Sequence, residues 1–387
     1  MRRLQTLILL LFGLDRLWKS VLIAHFFRRM RPAAPNPWPS VTIIQPVTRG
    51  ASRLEQNLRA RLQLAYDAPV QHVIVCDRAD AASQAICRAV CAEFPGATTE
   101  ILLAEASVGE IASKIEKMQT ALTRATGDVL LFVDDDVMLR PDALRVLLPY
   151  LEQPDVGAAF GLACYSNWRN LWSGLMSAFV NANALMSYIP LCYLTDPYTI
   201  TGHCFALRRS VFEAVGGFGR MENRLDDDHE LARRLRRHGL RSVQTPLIYD
   251  VDNDLPTARA YFRQMQRWFV FPRLMVAPYL TRREALVTGV GSAGTMLPPL
   301  LTGLALLGRN RHGGRCLALM VALLLVSYCW GERFLGRRTL PERLLLVPLI
   351  AVLAPLQIVW GLLAGDEVQW RGQRLQLDRH GMVKRVL

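Results

Sequence analysis

Three consecutive aspartates, Asp134, Asp135 and Asp136, close the short apolar run Val129 to Val133. An uninterrupted, β-branched run of this length predicts a strand buried on both faces of a parallel sheet. Carboxylates at the carboxyl end of such a strand stand where open α/β sheets hold their ligands. Asp134 and Asp136, two apart on a bent chain, could converge on one hard divalent cation, Mg2+ or Mn2+. Such an ion takes oxygen ligands and bridges phosphate oxygens. A solvated turn that caps the next helix explains an isolated Asp-Asp-Asp equally well. Other reactive groups along the chain weigh against that plain reading.

Asp77 ends a second apolar run, His72 to Cys76, again at a strand's carboxyl end. Asp226, Asp227 and Asp228 precede a helical pattern with Leu231 and Leu235 inward, Glu230 and Arg234 as an i,i+4 pair, and Gly239 as a stop. Acidic residues stabilise a helix N-terminus whatever the function. That explains one aspartate better than three. Gln264, Arg267 and Trp268 fall at i, i+3 and i+4, so they share one helix face. A guanidinium fork binds phosphate, and an indole can stack on a ring. The competing reading is a basic amphipathic helix on anionic lipid, because Arg259, Arg263, Arg273, Arg282 and Arg283 surround it. Between these groups, Thr201-Gly202-His203 reads as a loop in which Gly202 lets the backbone approach a ligand closely.

The elements that must position these residues alternate. Val41 to Gln45 predicts a strand, and Ser52 to Ala65 a helix with a capping box of Ser52 and Glu55. The strand at His72 precedes a helix from Ala81 to Phe94, and Glu100 to Leu103 predicts a third strand. Ser113 and Glu116 form a second capping box before a helix reaching Arg124, and the Val129 strand follows. This β-α-β-α-β-α-β order implies right-handed crossovers and a mostly parallel sheet with helices on both faces. No Gly-x-Gly-x-x-Gly follows the first strand, which argues against a dinucleotide-binding oxidoreductase.

Apolar stretches flank this part. Leu4 to Leu14 and Ser20 to Phe27 are each shorter than the ~20 residues of a bilayer span, and Asp15, Arg16 and Lys19 lie between them. Residues 1–31 therefore read as an N-terminal membrane anchor or an interfacial segment, joined by the proline-rich linker 32–40 to a catalytic region at 41–283. Trp168 to Tyr188 is a long, mostly apolar stretch interrupted by Asn181 and Asn183. It is either a buried or interfacial helix or a membrane-facing surface that admits a lipid. Within 284–366, Leu286 to Gly308, Cys316 to Trp330 and Leu344 to Ala364 are apolar. The first and third suffice to span; the middle one is short and soon meets Glu332. Arginines before Leu286, and the basic tail 367–387 with Arg371, Arg374, Arg379, Lys384 and Arg385, place both flanks in the cytoplasm by the positive-inside rule. One apolar segment would then be re-entrant, or the first would break near Pro298-Pro299.

Composition agrees with a soluble domain joined to membrane segments. Of 387 residues, 51% are hydrophobic, high for a purely soluble enzyme. The net charge of +13 suits nucleic acid, anionic lipid or phosphate-bearing substrates, and charge alone does not choose among them. The 8 cysteines show neither a CxxC pair nor a disulfide framework, which suits a reduced cytoplasmic domain.

Taken in order, Asp77, Asp134-x-Asp136, Asp226 to Asp228, Gln264-x-x-Arg267-Trp268 and then membrane, the chain resembles the inverting glycosyltransferases with a GT-A domain and the D,D,D,QxxRW motif set. Among these it is most similar to the ceramide glucosyltransferase family. Gln45 to Gly50 matches that family's Pro-Leu-Lys-Gly segment loosely, and Lys114 falls on its lysine after the third strand. Asp227-Asp228 stands where the family has Glu-Asp, and Glu116 or Lys117 replaces an expected asparagine. The resemblance implies that Asp77, Lys114, Asp134 and Asp135 meet the nucleotide sugar and that Asp134 and Asp136 hold the metal. It makes Asp228 the general base, and puts Gln264, Arg267, Trp268, Gly202 and His203 on the diphosphate and acceptor side. The partners implied are a UDP-sugar, a lipid acceptor and the membrane, with no nucleic acid. A polysaccharide synthase would need more spanning helices around its channel. A transporter or receptor with a regulatory α/β domain would need intramembrane ionisable residues that the apolar runs hardly carry.

Overall fold

The structure is a computed structural model, and it describes residues 1–106, 113–221, 224–363, 365–370, 373–378 and 382–386. Ala364, Arg371 and Arg379, named above, lie outside them. The chain forms two compact units, Met30–Ala163 with Asp196–Asn253, and Met1–Arg29 with Cys164–Thr195 and Asp254–Leu387.

In chain order, α1 (Arg2–Arg28) precedes β1 (Val41–Pro46), α2 (Leu54–Leu62), β2 (Val70–Asp77), α3 (Ala81–Ala92) and β3 (Thr98–Ala104). Then come α4 (Lys114–Leu122), β4 (Val129–Val133), β5 (Val137–Met138), α5 (Ala143–Leu147), β6 (Val156–Tyr165), α6 (Leu171–Leu194), β7 (Cys204–Arg208) and α7 (Arg209–Ala214). The rest is α8 (Asp227–Arg237), β8 (Arg241–Val251), α9 (Ala258–Phe271), α10 (Arg282–Ala293), α11 (Leu297–Gly308), α12 (Arg311–Leu335), α13 (Leu346–Leu363) and β9 (Glu367–Trp370), β10 (Gln373–Leu377) and β11 (Val383–Val386).

The α/β unit is built on an 8-stranded sheet in the order β3-β2-β1-β4-β7-β6-β8-β5. Its half β3-β2-β1-β4 is parallel, as the alternating pattern predicts. Every residue of β1 and β4 is buried, which is why these strands carry no polar alternation. Beyond β4 the sheet turns antiparallel: β7 pairs with β4 so that Cys204 stands opposite Val133. That reversal brings the loop before β7 to the strand end that carries the aspartates. Phe132, Phe205, Phe212 and Phe218 pack beneath it, with Phe132 stacked on Phe205 at 5.0 Å. Truncating such a buried ring costs about 3–5 kcal/mol.

Helix α4 starts with the expected capping box, Ser113 Oγ accepting from Glu116 N at 3.1 Å and Glu116 accepting from Ser113 N. Helix α2 does not. Ser52 Oγ donates instead to the Asp252 carbonyl at 3.0 Å, and Arg53 takes a left-handed conformation, so the helix begins at Leu54. A tertiary partner has overridden the local cap.

In the helical unit, α1 is one continuous helix of 27 residues rather than two apolar pieces. Its three central charges, Asp15, Arg16 and Lys19, turn inward and pair: Lys19 Nζ lies 2.9 Å from Asp15 Oδ1 and donates to the Gly291 carbonyl at 2.7 Å. Leu4, Leu7, Leu10, Leu14 and Leu17 are exposed on its other side. Among the described residues, four helices, Leu171–Leu194, Arg282–Gly308, Arg311–Leu335 and Pro341–Leu363, are long and apolar enough to cross a membrane. The middle C-terminal run is longer than its apolar residues suggest, because Asn310 caps α12 and Gly336, at φ +66°, ends it. The first is interrupted by a 3-10 turn at Gly294–Met296, just before Pro298-Pro299. The tail forms a small antiparallel sheet, β11-β10-β9.

Candidate active site

Asp134, Lys114, Gly202 and Asp227 come together at the carboxyl end of β4. The register of β7 fixes the first contact, because Asp134 N donates to the His203 carbonyl at 2.9 Å. Lys114, at the start of α4, extends its Nζ to 2.9 Å from Asp134 Oδ1 and 3.3 Å from Asp227 Oδ2, and it donates to the Gly202 carbonyl at 3.1 Å. Burial alone would lower the lysine's pKa, but Asp134 and Asp227 outweigh it and raise it above the ordinary value. Burial pushes Asp227 up to about 6, with Lys114 opposing and Asp228 adding to the rise.

Asp136 points into the same region with Oδ1 buried and without a hydrogen-bond partner. Burial, followed by repulsion from Asp134 and Asp135, lifts it to about 8. A buried carboxylate oxygen without a hydrogen-bond partner among the described residues can take a cation, so Asp134 and Asp136 fit a divalent ion. Among the described residues no group of three or more His, Cys, Asp or Glu could hold a metal. The protein would therefore supply only part of the shell, as at Mg2+ sites completed by phosphate and water. Asp135 turns the other way. Its carboxylate accepts from Thr48 N, and its carbonyl accepts from Asn57 Nδ2 at 2.8 Å, which ties the loop after β1 to the aspartate turn.

One basic residue escaped the sequence reading, and a second was named there without a role. Arg61 is fully buried on α2 and donates to the carbonyls of Asp134 and of Val137, the latter at 2.6 Å. Burial lowers it to about 10, while the neighbouring aspartates oppose that. Its signal was a charge between Leu58 and Leu62 on an otherwise apolar row. Lys117 is the second. Its Nζ stands 2.6 Å from Asp77 Oδ2 and donates to the Val47 carbonyl at 2.7 Å. Of the two residues replacing the family's asparagine, Glu116 is spent in the helix cap and Lys117 reaches the aspartate.

The three aspartates at the start of α8 divide their work. Asp226 is claimed by Arg224 and Arg233, each at 2.9 Å. Asp227 pairs with Lys114. Asp228 has no Lys or Arg within ion-pair distance among the described residues, and its Oδ1 accepts from His229 N at 2.9 Å. A Cβ at Gly202 would sit 2.8 Å from Asp228 Oδ2. Glycine at 202 therefore makes room for this carboxylate. The neighbouring His203 ring lies against Tyr249, centroids 6.3 Å apart.

In the helical unit, α9 carries the remaining motif, and Thr257 caps it by accepting from Ala260 N at 3.2 Å. Arg267 Nη2 donates to Gln264 Oε1 at 2.7 Å, the shared face that the spacing predicts. Trp268 is walled by Tyr165 and Phe179, centroids 6.0 and 6.2 Å away. Gln266 and Arg273 hold the helix to the tail, at the Glu367 carbonyl (3.3 Å) and Asp366 Oδ1 (2.5 Å).

A sheet of this topology, ending in clustered carboxylates and accompanied by C-terminal apolar helices, is that of a GT-A glycosyltransferase. Residues 6–383 match the sequence profile of glycosyl transferase family 21, and the chain belongs to that family. A mannosyltransferase of Pyrobaculum calidifontis, solved in complex with GDP-Man and Mn2+, superimposes with a TM-score of 0.57 at 17% identity, covering 93% of this chain and 99% of that one. At that identity the likeness speaks for the fold alone. An N-acetylglucosaminyltransferase of Mesorhizobium japonicum is 25% identical over 297 residues, 71% of this chain and 66% of its own length. The O-antigen biosynthesis protein RfbC of Myxococcus xanthus is 29% identical over 144 residues, 33% of this chain but only 11% of that protein.

Proposed function

We propose that this enzyme moves a hexose, glucose in the first instance, from a UDP-sugar to the hydroxyl of a ceramide-like lipid, inverting the anomeric centre to give a β-glycolipid. The observation that carries the reading is the division of carboxylates at the end of β4. Asp134 and Asp136 are suited to a cation, while Asp228, of the three aspartates at the start of α8, has no Lys or Arg partner among the described residues. Asp77, held by Lys117, and the Asp134–Asp135 turn bind the nucleotide. A divalent ion on Asp134 and Asp136, Mg2+ or Mn2+, would neutralise charge on the leaving diphosphate. Lys114 lies between Asp134 and Asp227, and its ammonium is a second positive charge for that side of the reaction. Asp228 accepts the proton of the acceptor hydroxyl as the hydroxyl oxygen attacks the anomeric carbon. One base and one displacement invert configuration, so an α-linked donor yields a β-glycoside. The Gln264, Arg267 and Trp268 motif keeps the role the family implies, in diphosphate and acceptor binding. Gly202 and His203 remain with the acceptor loop. The apolar helices suit an acceptor that lives in the membrane, and the arginines before Leu286 suit a catalytic unit on the cytoplasmic side.

The relatives named as N-acetylglucosaminyltransferases favour a second donor, UDP-N-acetylglucosamine. One experiment separates these readings. Membranes containing the protein are incubated with labelled UDP-glucose, UDP-galactose or UDP-N-acetylglucosamine, and the organic extract is chromatographed. One donor should give a lipid product cleaved by a β-glycosidase. A water-soluble size ladder without labelled lipid would mark a polymer synthase, and no consumption of any donor would remove the transferase reading.

A further inference from the structure

Beside Asp228 stands a ring that the motif leaves without a role. His229 Nδ1 lies 2.5 Å from Thr199 Oγ1 and 3.3 Å from Asp228 Oδ1. Thr199 Oγ1 also reaches the Ile200 carbonyl at 3.2 Å, and when it donates its proton there it accepts from the ring. With the proton on Nδ1 the ring donates to Thr199 Oγ1 and faces Asp228 Oδ1 at ion-pair distance. The His229 backbone N–H donates to the same oxygen. Oδ1 is thus held from two sides, and Oδ2 is the oxygen that faces Gly202.

We propose that His229 is a positioning residue for the general base: bonded to Thr199 and set against Asp228 Oδ1, it holds the carboxylate so that Oδ2 receives the acceptor's proton. The inference rests on Asp228 being that base. A donor to the charged form favours ionisation. The other charges facing this carboxylate are Asp226 and Asp227 on α8 and Lys114 from α4; the 199–202 loop contributes the neutral Thr199. Asp226 is balanced by Arg224 and Arg233, and Asp227 by Lys114, so the ring and the backbone N–H of His229 are the contacts that orient Asp228 Oδ1.

The test uses the full chain in detergent, with transfer to lipid measured from about pH 5 to 9 for His229→Phe, His229→Asn and Asp228→Asn. Phenylalanine keeps a ring but no donor, whereas asparagine restores an N–H near the Nδ1 position. His229→Phe should lower kcat by about 10- to 100-fold, less than the two to four orders a lost base costs. Its donor KM should stay near the parental value, the acidic limb of the kcat profile should move to higher pH, and His229→Asn should recover most of both. A parental limb in His229→Phe overturns the inference, whether kcat is unchanged or falls uniformly with the melting temperature. Parental turnover in Asp228→Asn is a different result: the base assignment itself fails, and the inference with it.

Discussion

Lys117 Nζ and Asp77 Oδ2 stand 2.6 Å apart, and the two side chains are 0% and 2% exposed. The lysine also donates to the Val47 carbonyl, so one ammonium joins the ends of β1 and β2. A buried pair is worth little against an apolar replacement of both partners, yet removing one partner leaves an uncompensated charge.

Lys117→Met should therefore destabilise the protein by about 3–5 kcal/mol and weaken UDP-sugar binding. Lys117→Met combined with Asp77→Asn should regain much of the stability but not the binding. Thermal melts in detergent beside nucleotide titrations provide the check. A double variant no more stable than the single one would show that the pair is not the source.

Asp136→Ala should abolish transfer, by at least about 100-fold, while the melting temperature of the metal-free protein holds or rises, because an orphaned buried carboxylate is gone. Excess chelator should silence the parent, and Mg2+ or Mn2+ should restore it. Metal should also raise the parent's melting temperature and leave the variant's unmoved. Full turnover in chelator would remove the metal from the reaction.

Much of this was legible because it is local. The β4 run ends on its aspartates within a few residues, the Ser113 cap needs only Glu116, and Gln264 and Arg267 meet through helix spacing alone. What was not legible depends on distant partners. Ser52 loses its cap to Asp252, 200 residues away, and Lys117 finds Asp77 across 40. The charges of α1 look prohibitive in a linear reading, and they are accommodated because Lys19 meets Asp15 and a carbonyl at the helix interruption. The roles of Asp226, Asp227 and Asp228 separate only once Arg233 and Lys114 are in place.

His72 on β2 sets an acid limit. Burial, with Arg61 adding to it, lowers the imidazole to about 4, against ~6.5 in an unfolded chain. Between those values the unfolded chain binds a proton that the folded one refuses, so stability falls as pH falls from about 6.5 toward 4. The loss is of the order of 3 kcal/mol at one unit per ~1.4 kcal/mol. His72→Gln should flatten that slope while leaving stability at pH 8 nearly unchanged. Parallel melting curves for the two proteins across this range would count against it.

Gly202 offers the sharpest separation between structure and chemistry. Its backbone is outside the left-handed region, so alanine is conformationally acceptable there, and its carbonyl remains available to Lys114. The added methyl would lie 2.8 Å from Asp228 Oδ2, 3.1 Å from Cγ and 3.3 Å from Cβ. The atom met first is the end of a side chain, and rotating it away is easier than moving a strand. Gly202→Ala should therefore melt close to the parent, within about 1 kcal/mol. The carboxylate, however, must leave its position, and a displaced base loses about two or more orders of magnitude in rate. Donor KM should barely change if Gly202 serves Asp228, and should rise if the glycine instead admits the nucleotide sugar. Steady-state kinetics against the UDP-sugar and the lipid acceptor distinguish these. A variant with parental kcat would mean that Asp228 does not work from the position it occupies beside Gly202.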